Sequence, residues 1–474
     1  MTFSATSTAA EAVVVFNQVS KRFAVNGQDF TALQDISLKL REGEFTAIVG
    51  ASGCGKSTLL RLLVGLDREF DGSITVDGRP LAGIGADRGI VFQEHRLFPW
   101  LSVQQNIALG LANDNGSAAT HARLVQEHIE LVGLKGFEQA LPHQLSGGMA
   151  QRVAFAAARA GGARIVIADE PTKGLDIARR DEVIDLLMRE VRAGGTVLTI
   201  THDLELARRM GGDLAVMLEG RIIETGAAED VLSNPAHGYT KRLIAADPTH
   251  WADPAQPLSA SSSASKPVLV ASGLGKTRGG KPLFSHIDLS VQPGEIVGVT
   301  GPSGSGKSSL GDILLGLLAP DAGRVSRAEG VSRHRYQKIY QDPPSAFPPR
   351  ATIRRTLVDL VALHGLKASA ILPLMHRLRL NPSLLDRRPG EVSGGELQRF
   401  ALLRVLLLDP VFLFADEPTS RLDPITQQET IALLVELARE KGCALLIVSH
   451  DTALIEKTCD RTIAIGTQTL TEAA

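Results

Sequence analysis

The sequence predicts an α/β chain of two tandem domains, each a mostly parallel sheet with helices on its faces. Two observations carry that prediction. The first is a long repeat. Gly50-Ala-Ser-Gly-Cys-Gly-Lys-Ser-Thr58 returns as Gly301-Pro-Ser-Gly-Ser-Gly-Lys-Ser-Ser309, and Leu145-Ser-Gly-Gly-Met149 as Val392-Ser-Gly-Gly-Glu396, both with Gln-Arg one residue further on. Ala168-Asp-Glu-Pro-Thr172 returns as Ala415-Asp-Glu-Pro-Thr419, and Thr201-His-Asp203 as Ser449-His-Asp451. The four landmarks keep their order at a spacing of 247 to 251 residues, which marks two homologous domains. The second observation is a set of short, continuously apolar runs bounded by Gly or Asp, the pattern of strands buried on both faces.

Taken in order, the runs are Phe45–Val49, Ile165–Ala168 and Val197–Ile200 in the first half. Ile296–Val299, Val411–Ala415 and Ala444–Val448 follow in the second. Thr120–Leu134 has apolar residues at Val125, Ile129 and Val132, a helical period that predicts a helical insertion. The first domain is placed at residues 11–246 and the second at 267–474, without a counterpart to most of the tail from Glu219 to Ala246. Between them, residues 247–266 carry Pro248, Pro254, Pro257 and the run Ser259-Ala-Ser-Ser-Ser-Ala-Ser265. That composition cannot bury a core and predicts a flexible linker spanning roughly 25 Å.

Composition narrows the function. With 50 Lys+Arg against 52 Asp+Glu the formal charge is −2, which gives no global attraction to nucleic acid or an acidic membrane surface. At 44% hydrophobic and 22% charged residues the chain is globular. No run of eighteen apolar residues occurs, so no segment is expected to cross a membrane. Met1–Glu11 lacks the basic start of a secretory signal. Three cysteines, Cys54, Cys443 and Cys459, are too few and scattered for a disulfide framework or zinc site, so the cytoplasm is the expected compartment.

The chemistry-bearing residues lie in the repeat. Gly-x-x-x-x-Gly-Lys-Ser after an apolar strand is a phosphate cradle, because its glycines let successive N–H groups turn toward an anion at a helix start. Gly50, Ser52, Gly53, Cys54, Gly55, Lys56, Ser57 and Thr58 make the first cradle. Gly301, Ser303, Gly304, Ser305, Gly306, Lys307, Ser308 and Ser309 make the second. Lys56 and Lys307 would reach β/γ-phosphates, while Ser57 and Ser308 would ligate Mg²⁺. Strands ending at Ala168 and Ala415 deliver Asp169-Glu170 and Asp416-Glu417 to the carboxyl edge of the sheet, where ligands bind. Each Asp suits the Mg²⁺ side and each Glu suits polarising an attacking water. Cys54 is read as a small space-filling residue, with oxidation-sensitive ATP binding as the alternative.

On these residues both halves resemble ATP-binding cassette (ABC) ATPase domains of the P-loop NTPase class, each with a helical subdomain. The Leu-Ser-Gly-Gly segment is the discriminating element, a second anion site at a helix start: Ser146, Gly147 and Gly148 in one half, Ser393, Gly394 and Gly395 in the other. The resemblance implies head-to-tail pairing, so that Lys56, Asp169 and Glu170 face Ser393-Gly394-Gly395 and Lys307, Asp416 and Glu417 face Ser146-Gly147-Gly148. It also implies that Gln93 and Gln341 sense Mg²⁺ and the attacking water, that His202 and His450 meet the γ-phosphate, and that Asp176 and Asp423 link the sites. Phe23 matches the aromatic that stacks on adenine. Its aligned residue in the second half is Arg278, which implies weaker nucleotide binding there. Phe98-Pro99-Trp100 and the stretch Pro343, Pro344, Phe347, Pro348 and Pro349 match the neighbourhood that docks on a membrane partner.

The resemblance further implies ATP and Mg²⁺ as cofactors and two function classes. One is the motor of a transporter, an importer, at the cytoplasmic face of the membrane, with separate permease subunits, a periplasmic or extracellular substrate-binding protein and no nucleic acid. The other is a soluble tandem ATPase acting on ribosomes or nucleic acid. Translation-factor relatives carry a long charged arm between domains, whereas this linker is short and nearly uncharged, which favours transport. Gly89-Ile-Val-Phe-Gln-Glu-His-Arg-Leu-Phe-Pro-Trp100 resembles nitrate/sulfonate/taurine importer ATPases. Tyr340-Gln-Asp-Pro-Pro-Ser-Ala-Phe-Pro-Pro-Arg350 and Asn234-Pro-Ala-His-Gly-Tyr-Thr-Lys-Arg242 resemble the peptide/nickel importer branch.

Overall fold

The structure, a computed structural model, describes residues 12–25, 28–92, 95–172, 175, 177–253, 266–420, 422–466 and 472–473. It divides into two compact units, Met1–Ile244 and Ala245–Ala474.

In the first unit a six-stranded sheet runs Arg221–Ala227, Asp213–Leu218, Phe45–Gly50, Thr196–Ile200, Ile165–Asp169 and Arg88–Val91. All its pairings are parallel except that of the Arg221–Ala227 edge. The three apolar runs therefore form its centre. Phe45–Gly50 and Thr196–Ile200 are buried along their whole length, as their lack of polar alternation requires. A separate antiparallel sheet pairs Ala12–Val25 with Gln28–Arg41 and Asp71–Val76. The helix Lys56–Val64 lies between the two sheets, and one apolar cluster joins its Leu59, Leu62 and Leu63 to Phe16 and Ile36 on one side and Ile48 and Leu198 on the other. The predicted insertion is present as Ala118–Leu131, capped by Ser117, beside Val103–Ala108 and Gly147–Ala160.

The second unit repeats this plan. Its main sheet runs Tyr336–Ile339, Phe412–Asp416, Ala444–Val448, Ile296–Thr300, Arg461–Ala464 and Glu472–Ala473, with only the last strand antiparallel. Lys281–Val291, Leu269–Arg278 and Ala322–Arg327 form the antiparallel sheet. The helix Lys307–Leu315 is again gripped between sheets, Leu310 and Leu314 packing with Leu269, Ile287, Val297 and Phe412.

The tail of the first unit, with the helices Ala228–Ser233 and Gly238–Ala245, is pinned by one carboxylate. Glu224 accepts from the backbone N–H groups of Ala236 and His237 and from the Thr240 hydroxyl. Burial opposes its charge, but these donors together hold its carboxyl below the usual range.

The segment expected to be linker is not uniform. Asp247 caps a single helical turn, Pro248–His250, and Trp251 packs on the second unit's core while its Nε1–H donates to Ala246 O at 3.0 Å. Lys457, on the helix Thr452–Thr458, pairs with Asp253 at 2.5 Å. Ala245–Asp253 thus belongs to the second unit, which moves the boundary two residues before the expected 246/247 break. Residues 254–265 lie outside the described residues.

Candidate functional site

Each cradle begins where its central strand must approach a neighbour too closely for a side chain. A Cβ on Gly50 would come within 2.1 Å of Met217 O, and one on Gly301 within 2.2 Å of Ile465 O. The loops end at Gly55 (φ 105°) and Gly306 (φ 98°), in the left-handed region glycine tolerates. These two residues cap Lys56–Val64 and Lys307–Leu315 without any side-chain hydrogen bond, so the first-turn N–H groups remain available to an anion. Lys56 and Lys307 are 8% and 6% exposed. The Lys56 ammonium donates to the carbonyls of Gly50 and Ala51 at 2.8 Å, and the Lys307 ammonium to those of Gly301 at 2.7 Å and Pro302 at 3.0 Å. A buried cation supported by carbonyls attracts a strong anion.

Cys54 is buried, with its Sγ 3.7 Å from the Lys56 ammonium. Burial pushes its thiol up, a shift that Lys56 only partly offsets. That matches the space-filling reading and leaves the thiol without thiolate character. Ser305, its counterpart, has a buried Oγ with no hydrogen-bond partner among the described residues.

The acidic pairs are built by a shared backbone device. Asp169 and Asp416 end their strands, paired with Ile200 and Val448. The next residues, Glu170 and Glu417, take φ of 51° and 47°, yet their N–H groups still bond to Ile200 O at 2.8 Å and Val448 O at 3.0 Å. Such strain is stored at functional positions and turns each carboxylate toward the neighbouring strand's end. There His202 Nδ1 lies 2.6 Å from Glu170, and His450 Nε2 lies 2.7 Å from Glu417. In the second unit Gln341 Nε2 donates to Glu417 at 2.7 Å. The fold thus brings Gln341, Glu417 and His450 together. Gln93, like Asp176, lies outside the described residues.

Asp416 is 7% exposed; burial pushes its carboxyl up, partly offset by the Ser308 hydroxyl and the Lys338 ammonium. A serine hydroxyl against a strand-end carboxylate is a pair of hard oxygen donors, which fits Mg²⁺ completed by phosphate oxygens and water. No cluster of three or more His, Cys, Asp or Glu able to hold a metal occurs among the described residues.

The two Ser-Gly-Gly segments stand at helix N-termini of unequal character. Ser146 caps Gly147–Ala160 by accepting from Met149 N–H at 3.3 Å. Ser393 caps Gly394–Leu406 through a reciprocal box in which its N–H and Oγ both donate to Glu396 at 2.8 Å. Asp423 caps Pro424–Lys441.

The hairpins beside the cradles also differ. Gly55 abuts Ala32 and Leu33, and Gly306 abuts Leu283 and Phe284. Lys21, paired with Asp67 at 2.9 Å, faces Leu33, and Lys276, paired with Asp321 at 2.8 Å, faces Phe284. Two residues beyond these lysines stand Phe23 and Arg278, which upholds their alignment. The Lys21 ammonium sits 5.0 Å from the Phe23 ring centroid, and the ring is 36% exposed.

The expected docking residues divide. Phe98 and Trp100 are 47% and 70% exposed, with ring centroids 5.4 Å apart, on a turn clamped by buried Asn106, whose amide bonds to backbone at Phe98, Leu101 and Ser102. Phe347, by contrast, is buried in the second unit's core, because the turn Pro343–Ala346 folds it beneath. It is a packing residue.

Sequence reasoning missed Lys338, whose ammonium lies 3.5 Å from Asp416 and 2.8 Å from Asp312.

With this geometry in hand, the comparison with known proteins is decisive. The sequence profile described as ABC transporter matches residues 33–173 and again 284–420. The chain belongs to the ABC transporter family. It is an ATP-binding ATPase chain with two cassettes. The peptidoglycan transport ATP-binding protein YejF of Agrobacterium fabrum is 34% identical over 92% of this chain and 88% of that protein. The glutathione import ATP-binding protein GsiA of Escherichia coli is 30% identical over 95% of this chain and 84% of that one. Among solved structures, the archaeal ribosome recycling factor aABCE1 in complex with ribosomal stalk protein aP1 is 22% identical and covers 95% of this chain with a TM-score of 0.66; at that identity the likeness concerns the fold alone. No helix among the described residues is long and apolar enough to cross a membrane.

Proposed function

We propose that this chain is the ATP-driven motor of a bacterial importer, bound at the cytoplasmic face of the membrane to separate permease subunits and served by a substrate-binding protein. The observation that carries the reading is the doubled set of cradle, strand-end Asp-Glu and histidine, in a chain whose relatives across both cassettes are named for transport and import. Those names support a cargo of peptide character, glutathione and peptidoglycan components being of that class.

In this reading the cradle N–H groups with Lys56 and Lys307 bind the β/γ-phosphates, and Phe23 stacks on adenine in the first cassette. Ser57 with Asp169, and Ser308 with Asp416, would hold Mg²⁺, which would supply positive charge against the charge developing on the phosphates. Glu170 and Glu417 take the proton of the attacking water. His202 and His450, already bonded to those carboxylates, fix their orientation and meet the γ-phosphate. Gln341, which also donates to Glu417, senses Mg²⁺ and the attacking water. The two cassettes pair head to tail, each signature helix supplying its N-terminus to the other cassette's nucleotide, and closure is passed to the permease through surfaces such as Phe98 and Trp100.

One experiment tests both halves of the reading. The Glu170→Gln/Glu417→Gln chain should lose turnover by about 10²–10⁴ and should retain, with ATP and Mg²⁺, a multi-span permease from detergent-solubilised host membranes. Near-normal hydrolysis removes the two glutamates from the catalytic role. Recovery of ribosomal proteins or nucleic acid without a permease rejects the importer.

A further inference from the structure

A cation in the second cassette has no counterpart in the first. Lys338 lies on the edge strand Tyr336–Ile339, whose register sets Ile339 beside Ala415 as Val91 stands beside Ala168. Lys338 therefore occupies the position of Ile90. Its side chain is 11% exposed, and its ammonium lies 2.8 Å from Asp312 and 3.5 Å from Asp416. The same ammonium is 5.4 Å from the Tyr340 ring centroid and 5.5 Å from that of Phe414. Asp312 is the sixth residue of the helix Lys307–Leu315; the sixth residue of Lys56–Val64 is Arg61. Lys338 and Asp312 thus stand at the positions that Ile90 and the exposed Arg61 hold in the first cassette.

An isoleucine packs this position without desolvating any charge, whereas a buried ion pair carries a desolvation penalty that its Coulomb energy need not repay. Packing alone does not explain the lysine. Its electrostatic effect on Asp416 is direct: a carboxylate oxygen that already faces an ammonium at 3.5 Å offers less negative charge to a second cation. Asp312, closer at 2.8 Å, takes the larger share of the ammonium, so Asp416 keeps part of its charge and metal binding is weakened rather than abolished.

We propose that Lys338 is a built-in counter-cation of Asp416 that raises the Mg²⁺ concentration needed to load the second cassette with nucleotide, so that the first loads alone when Mg²⁺ is scarce. This rests on the reading of Asp169 and Asp416 as the metal carboxylates. Lys338 is a positioning residue; it acts through Asp416.

The test reads nucleotide binding instead of turnover. Full-length Lys307→Ala keeps the first cradle and Lys56→Ala keeps the second; each is titrated with free Mg²⁺ at fixed fluorescent ATP. The second cradle should need about tenfold more Mg²⁺ for half-saturation than the first. Lys338→Ile/Asp312→Arg, which restores the first cassette's pair without stranding a carboxylate, should remove most of that difference in the Lys56→Ala chain. Ile90→Lys should raise the requirement in the Lys307→Ala chain, and Lys338→Met keeps the stem if the double exchange folds poorly. Equal Mg²⁺ dependence in the two cradles, or no response to either Lys338 exchange, overturns the proposal and leaves the metal carboxylates standing. Nucleotide binding that ignores Mg²⁺ in both cradles overturns the carboxylate assignment and the proposal together.

Discussion

The hairpin beside each cradle makes a quantitative contrast between the cassettes. In the first, Phe23 faces Phe30 and the strands run on to a closing pair at Val25 and Gln28. In the second, the closing pair is Arg278 and Lys281 itself, around Gly279 and Gly280 with φ of 58° and 77°. Measured from the lysine–aspartate pairs, the second hairpin is two residues shorter on each strand and ends where the first carries its rings. Both closing residues are exposed, and among the described residues neither has an ion-pair partner. Base–aromatic stacking is worth about 1–3 kcal/mol, or roughly 5- to 150-fold in affinity. With Lys21 covering part of the Phe23 surroundings and the ring only 36% exposed, the lower half of that range applies. Phe23→Ala in a Lys307→Ala chain should therefore weaken ATP binding by about 5- to 30-fold while leaving inorganic tripolyphosphate unaffected. Arg278→Phe in a Lys56→Ala chain should tighten ATP binding by about 3- to 10-fold, a smaller gain because a guanidinium plane already stacks to some extent. Equilibrium titration with a fluorescent adenine nucleotide, competed by ATP or tripolyphosphate, measures both. If Phe23→Ala weakens ATP and tripolyphosphate alike, the ring supports the cradle and does not read the base, and the reasoning fails.

Two further outcomes are expected. Trp251→Ala removes a half-buried indole, about 100 Å² of contact at ~25 cal/mol per Å², together with one hydrogen bond of about 1 kcal/mol. The second unit should lose about 3–4 kcal/mol in urea unfolding and gain protease cuts between Ala245 and Asp253; an uncut segment would show that Trp251 is not the anchor. The three thiols should resist alkylation in the folded chain at neutral pH and react together only on unfolding. Burial pushes Cys443 and Cys459 up to about 12, and Cys54 up as well, all from the ordinary 9.0. Because the folded values are raised, any stability these thiols contribute is complete below pH 9.0 and is lost as pH rises toward 12. Fast labelling of Cys54 that ATP prevents would return it to a reactive role.

Much of the architecture was legible because its signals are contiguous. Ala444–Val448 is a strand over the expected residues, and Phe45–Gly50, Ile165–Asp169 and Ile296–Thr300 each extend the expected run by one residue. A buried parallel strand announces itself as an unbroken apolar run, so burial and sequence carry the same information. The linker was harder. Its Pro- and Ser-rich average hid one tryptophan behind an Asp-Pro-Thr turn, and whether a lone aromatic packs depends on a surface contributed about two hundred residues later by the helix holding Lys457. Phe347 was misread for the converse reason: proline neighbours suggest a surface loop, yet a short turn can fold its last ring inward. The positive φ of Glu170 and Glu417 had no sequence signal, since glutamate does not favour that region and only the fold imposes it.

The same distinction separates what the two cassettes share from what divides them. The repeat makes the proposed reacting groups legible, because Lys56/Lys307, Asp169/Asp416 and Glu170/Glu417 recur in identical local strings, and His202/His450 in strings that differ only in the preceding Thr or Ser. The residues immediately behind or beside them do not recur: Ile90 against Lys338, Arg61 against Asp312, Cys54 against Ser305, Met149 against Glu396, Phe23 against Arg278. Each of these exchanges alters charge or polarity next to a group that is itself unchanged. Lys338 and Asp312 meet only because an edge strand and a cradle helix converge on Asp416. On the reading proposed above, duplicated chemistry with unlike surroundings lets two sites that perform one reaction respond differently to nucleotide and metal. Sequence comparison within the chain finds the exchanges, but only their distances to a common carboxylate, ring or phosphate loop assign them a direction.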